Sequence, residues 1–244
     1  MANLSMFSNL RKLIFQRRVK LRNLTIITNN CWGATLYSDL NIPYQSPFVG
    51  LFILPDDYLK LLENIPKYLQ SSLLFIDQSS RPIISNQIKK KYPIGLLNET
   101  IEIHFLHYST IEEARTKWQR RLERIDWNNP NFFVKFCDYA ELYPQYFNPQ
   151  QIQQFDQLEI PYPKVCFTAR PYPDLSSTVW IKECQNQNGV YNGVKLYRVC
   201  DQYFDLADWL NGGSGQLGYL PQTVNFVEGT LRQILRKPKI GEGD

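Results

Sequence analysis

Apolar residues in this chain fall into short β-branched or aromatic runs, separated by stretches where they recur at helical spacing. Leu24 to Thr28 is one such run; it ends in Asn29-Asn30 and leads, after Gly33, into a helical stretch from Ala34 to Leu40. That order predicts a strand, a turn and a helix. Phe48 to Leu54 predicts a second strand, and Pro55-Asp56-Asp57 opens a helix through Leu62 with Asp56 at the cap or first turn. Tyr68 to Asp77 and Ile83 to Tyr92 carry weaker patterns, and Lys89-Lys90-Lys91 reads as a solvated turn. Ile101 to Tyr108 is apolar on both faces, as a central strand would be. Thr110, with Glu113 three residues on, predicts a capped helix through Ile125. Phe132 to Cys137, ending at Asp138, and Val165 to Thr168 predict two further buried strands. The tail predicts a helix over Gln202 to Leu210, a Gly-rich turn over Asn211 to Gly218 and a last helix near Val224 to Leu235. Strands alternating with helices specify an α/β fold, expected as a three-layer α/β/α arrangement with a mostly parallel or mixed central sheet.

Residues 6–21 place Phe7, Leu10, Leu13, Ile14 and Val19 among cations at roughly helical spacing, a basic amphipathic helix. Two readings follow: a helix packed on the domain, or one resting on an anionic membrane surface. The expected organisation is this helix over residues 1–23, a single α/β domain over 24–236 and a polar tail over 237–244. The net charge of +4 is concentrated in Arg11, Lys12, Arg17, Arg18, Lys20 and Arg22, so the rest of the chain is mildly acidic. A nucleic-acid partner is therefore not expected.

With 43% hydrophobic residues there is ample material for one sizeable core. No run approaches the roughly 20 apolar residues of a membrane span, and no signal cleavage site is evident, so a cytoplasmic location, membrane-peripheral at most, is expected. Five widely spaced cysteines without a C-x-x-C pair argue against a disulfide framework and structural zinc. With only His104 and His107 available, no metal site is expected. Gly213-x-Gly215-x-x-Gly218 has the letters of a dinucleotide fingerprint, but lacks the strand before it and the helix after it.

The segment Asn29-Asn30-Cys31-Trp32-Gly33 stands where ligands bind in α/β sheets, beyond the carboxyl end of a strand. A cysteine near a helix N-terminus is suited to act as a nucleophile, since the helix dipole favours its thiolate. Asn29, Asn30 and the Trp32 amide are candidate donors to an oxyanion, and Gly33 is suited to a tight turn. The competing reading makes Cys31 and Trp32 core residues and the asparagines turn formers. Strand alternation puts His104 on one face with Glu102, which makes that pair the better base and orienter, whereas His107 lies nearer the strand's carboxyl end. A second cluster, Trp118, Arg120, Arg121, Arg124, Asp126, Trp127 and Asn128, combines cations, aromatics and amides suited to a sugar or phosphate-bearing ligand. Its alternative is a helix with arginines in solvent and Trp118 in the core.

The stretches Ile27 to Gly33, Tyr44 to Phe52, Tyr92 to Gly95, Glu102 to Tyr108, Lys117 to Arg121 and Arg124 to Asn128 together resemble a bacterial family, domain of unknown function nineteen-nineteen, whose members are often labelled exopolysaccharide or capsule biosynthesis proteins. The resemblance implies a three-layer α/β fold and a setting in surface-polysaccharide synthesis. Some cysteine-dependent acyltransferases of capsule synthesis also carry an Asn-Cys pair after their first strand. The leading expectation is thus a transferase acylating a glycan or its activated precursor, with Cys31 as nucleophile, His104 or His107 as base and acetyl-CoA as the kind of donor. The alternatives are a glycosyltransferase-like enzyme binding a nucleotide sugar through Asp126, Asp138 and the arginines, and a non-catalytic glycan-binding or assembly partner at the membrane.

Overall fold

A computed structural model describes residues 2–81, 91–128, 130–139 and 144–217, with side chains from residue 9 onward. The α/β class read from the sequence holds. The described strands divide between two four-stranded sheets.

The parallel sheet contains β1 (Thr25–Thr28), β6 (Phe132–Cys137), β7 (Lys164–Thr168) and β8 (Thr178–Trp180), in that order. Its register pairs Thr25 with Phe132 and Thr28 with Lys135. Successive residues of β1 and β6 enter opposite layers. Ile27, Phe132, Val134 and Phe136 join one core with Phe48, Tyr58 and Phe155, while Ile26, Phe133 and Cys137 join the other with Trp32, Phe167 and Trp209. Burial on both faces is why these strands read as continuous apolar runs rather than alternating ones.

The second sheet is antiparallel, in the order β2 (Phe52–Ile53), β5 (Ile101–His104), β4 (Ile94–Leu97) and β3 (Leu73–Ile76). Ile53 N donates to Asn29 O (3.1 Å), so this sheet meets the parallel one just past the end of β1. The predicted strand over residues 101–108 stops at His104. Beyond it, Leu106 N turns back to His104 O (3.0 Å) and Tyr108 N to Phe105 O (3.1 Å), so the chain coils instead of extending.

Eight α-helices are described: α1 (Ala2–Arg18), α2 (Trp32–Leu40), α3 (Pro55–Glu63), α4 (Ile65–Leu69), α5 (Ile111–Leu122), α6 (Pro149–Gln157), α7 (Gly193–Cys200) and α8 (Leu206–Leu210). The Thr110 hydroxyl accepts from Glu113 N (3.1 Å), the cap expected for α5, and Asp56 lies in the first turn of α3. The expected helix over Gln202 to Leu210 shortens to α8, while α7 just before it carries no strong signal in the sequence. Gly213 to Leu217 is irregular, as expected of a turn. Most of Ile83 to Tyr92, the predicted Val224 to Leu235 helix and the polar tail lie outside the described residues. Among the described residues, no helix is long and apolar enough to cross a membrane.

Candidate functional site

Cys31 is the residue immediately before α2, in the turn leaving β1. Its Sγ lies 3.1 Å from His107 Nε2. The structure brings His107, not His104, to the thiol. Side-chain alternation applies only while the chain stays in the strand, and here it coils after His104 and swings His107 toward β1. Cys31 is half-buried and His107 exposed, so the pair is open to a reactant. The other four cysteines are buried.

The His107 turn is fixed by its neighbours. His107 N donates to Gly50 O (3.2 Å), and Arg121 Nη1 donates to Val49 O (2.9 Å) and to the Tyr108 hydroxyl, which also bonds to Val49 O. Arg121 is buried and also lies over the Tyr44 ring. It therefore braces the loop before β2 against the turn that carries the imidazole. Gly50 has φ of +79°, and a Cβ there would lie 3.2 Å from the Tyr108 ring and 3.4 Å from His107 Cβ. Only glycine meets both demands without strain.

Beneath Cys31 lies a polar cluster that the sequence reading did not include. Lys135 is fully buried in β6, and its Nζ donates to Cys137 Sγ (2.9 Å), Asn30 Oδ1 (3.2 Å) and Asn29 Oδ1 (3.4 Å). Asn30 Oδ1 also accepts from Trp32 N (3.2 Å), while Asn29 Nδ2 and Asn30 Nδ2 donate to Cys137 O and Cys137 Sγ. The two asparagines thus solvate a buried ammonium and shape the turn, and the Trp32 amide is engaged within it. Their polar atoms answer to Lys135 and Cys137, which gives them a reason to be buried other than contact with an oxyanion. The signal for this cluster was a lone lysine in the apolar run Phe-Phe-Val-Lys-Phe-Cys.

Burial pushes the Cys31 thiol up to about 11, with the Lys135 charge pulling the other way. The sulfur is accordingly a thiol at neutral pH, and its proton must leave as it reacts. His107 Nε2 is placed to take it. Gly33 does not form the turn; it lies within α2, where a Cβ would touch Ile26 and Thr28 at 3.4 Å. Gly193, the first residue of α7, packs on the Cys31 turn so closely that a Cβ would come 2.5 Å from Trp32 N.

Glu102 and His104 do form a pair, but a separate one. His104 Nε2 lies 3.0 Å from Glu102 Oε1 and its Nδ1 3.2 Å from the Tyr92 hydroxyl. Glu102 also accepts from Ser80 N (3.0 Å) and the Ser79 hydroxyl, and its own N–H donates to Asp57 Oδ2 (3.1 Å). This buried network ties α3, β5 and the Ser79–Arg81 segment together.

The second predicted cluster divides. Trp118 is buried, and Trp127 half-buried, along a cleft of about 440 Å³ that Arg115, Gln119, Glu123 and Gln70 also line. Arg121 is the internal brace described above, and Arg124 Nη1 donates to Tyr44 O (2.7 Å). Arg120, Asp126 and Asn128 are exposed. Asp138 is buried, and its carboxylate accepts from Ala169 N (2.8 Å) and Val190 N (2.9 Å). Among the described residues, no group of three or more His, Cys, Asp or Glu is placed to hold a metal ion.

Fold and site together define an α/β protein with a solvent-reachable cysteine–histidine pair at the end of its first parallel strand. The chain belongs to the family described as domain of unknown function DUF1919, whose model matches residues 4–211. It is similar to an uncharacterized protein of Haemophilus influenzae, 38% identical over 204 residues that cover 80% of this chain and 88% of that protein.

Proposed function

We propose that this protein is a cysteine-dependent acyltransferase acting on a glycan or its activated precursor in surface-polysaccharide synthesis. The observation that carries the chemistry is the 3.1 Å approach of Cys31 Sγ to His107 Nε2 on an otherwise buried scaffold. In the first half-reaction Nε2 takes the thiol proton as sulfur attacks the carbonyl carbon of an acyl thioester such as acetyl-CoA. The donor's thiol leaves with that proton, and the acyl group stays on Cys31. In the second, a sugar hydroxyl gives its proton to Nε2 and attacks the thioester, and Cys31 leaves and is reprotonated. The buried ammonium of Lys135 favours the sulfur's anionic character in both steps. The glycan assignment draws its support from the sequence resemblance to polysaccharide-synthesis proteins and from the Trp127 cleft, whose aromatic and amide groups suit a sugar ring.

The test is incubation with acetyl-CoA followed by peptide mass spectrometry, alongside acyl analysis of the host's surface polysaccharide. An acyl group on the Cys31 peptide is expected, absent in Cys31→Ala and slowed by about 10²–10⁴-fold in His107→Ala. Unchanged glycan acylation in a folded Cys31→Ala protein would sink the proposal.

A further inference from the structure

We propose that α1 seats the protein on an anionic lipid surface, with its apolar stripe facing the bilayer. This inference is independent of the chemistry proposed for Cys31. A surface helix of a globular protein normally turns its apolar stripe inward. Much of the stripe on α1 is turned outward. Leu10, Leu13 and Ile14, spaced to share one helical face, are 52%, 52% and 50% exposed.

From residue 9 onward, the helix is held to the fold largely by its polar side. Arg11 pairs with Asp201 (2.5 Å), Lys12 with Asp39 (3.0 Å) and Arg18 with Asp205 (2.5 Å), while Gln16 Nε2 donates to Asp39 O (2.7 Å). Among the described residues, Phe15, partly buried, adds apolar contact on that side, joined past the helix end by buried Val19 and partly buried Leu21. The arrangement keeps three large aliphatic side chains in water and uses cations as the glue.

The rim of the stripe names the occupant. Arg17 and Lys20 are exposed beyond its C-terminal end, as is Arg22, whose Nη2 donates to Gln16 O (2.9 Å). The neighbouring carboxylates Asp39, Asp201 and Asp205 are already paired with the inner cations. The outer face therefore offers apolar side chains with a positive border, which complements acyl chains beneath anionic headgroups. A second copy of the chain in an isologous contact would bring two such positive borders together, which disfavours it.

The experiment is co-sedimentation of the full chain with vesicles of phosphatidylcholine alone and with added phosphatidylglycerol, together with light-scattering mass measurement. Binding is expected to the anionic vesicles only, weakened by added salt and by roughly fivefold in Lys20→Gln. Leu13→Glu, at an exposed position and with its fold checked by circular dichroism, is expected to weaken it by tenfold or more. Equal sedimentation with both lipids, or binding indifferent to Leu13→Glu, overturns the proposal. A dimer that Leu13→Glu dissociates, without vesicle binding, overturns it in favour of a second copy.

Discussion

The backbone N–H of His107 donates to the carbonyl of Gly50, and the Cys31 thiol faces the carbonyl of the next residue, Leu51, at 3.9 Å. Base and nucleophile are thus both referenced to one short loop. Gly50→Ala is expected to cost about 1–2 kcal/mol from the positive φ. It should also displace His107 and slow acylation of Cys31 more than that loss of stability accounts for. Denaturant unfolding and adduct formation, measured on the same preparation, separate the two effects; an unchanged acylation rate would mean that this loop does not hold the base.

The thiol's raised pKa fixes how free Cys31 responds to pH. The neutral form is favoured until about pH 11, so alkylation by iodoacetamide should rise about tenfold per pH unit from pH 8 to pH 10 with no plateau. Peptide mapping should place the label on Cys31, the one cysteine of the five that is not buried. A plateau near pH 8.5 would indicate an ordinary exposed thiol.

Lys135→Met preserves bulk but removes the donor shared by Asn29, Asn30 and Cys137. Buried acceptors left unmade cost about 1–3 kcal/mol, visible in urea unfolding. The same substitution removes the charge that favours the Cys31 thiolate, so alkylation at a fixed pH should slow. Faster alkylation in a folded variant contradicts this electrostatic role.

Acid stability should carry two opposing limbs. Burial alone would raise Glu102, but hydrogen bonds from His104, Ser79 and Ser80 bring it down from 4.5 to about 2. Its contribution is present above pH 4.5 and lost as pH falls toward 2, a loss on the order of 2–3 kcal/mol. Burial raises Asp138 to about 6 despite its hydrogen bonds from Ala169 and Val190, so its contribution is complete below its ordinary value of 3.8 and lost as pH rises through 6. Stability should therefore increase on acidification from pH 7 to 5 and fall below about pH 4, where the Glu102 loss outweighs the last of the Asp138 gain. Urea titrations of Glu102→Gln should flatten the acid limb, and those of Asp138→Asn the neutral one.

What the sequence disclosed was mostly local. The strand ending at Asn29, the Thr110 cap and the α/β alternation follow from spacing and side-chain chemistry within a few residues. The choice between His104 and His107 was not local. It depends on where β5 stops, which is set by the Gly50 bond to His107 and by the contacts of Arg121 and Tyr108 with Val49, dozens of residues away. Lys135 is visible as an odd residue in an apolar strand, but its asparagine partners lie on another strand's exit turn. Arg121 looked like a ligand-binding cation because side-chain type does not reveal burial. The outward turn of Leu10, Leu13 and Ile14 reverses the usual packing rule, and the acidic partners that decide it, Asp39 in α2, Asp201 just after α7 and Asp205 just before α8, are distant in sequence.

The nucleophile and its base come from opposite sides of the seam where the two sheets meet. Cys31 leaves the parallel sheet after β1, and His107 follows β5 of the antiparallel one. Neither half can assemble the pair by itself. A chain with one sheet formed and the other open has a cysteine without a proton acceptor, so chemical competence arrives only when the halves lock together. The thiol's reactivity is then a natural gauge of that docking, and any ligand or substitution that loosens the seam should register there before the strands themselves come apart.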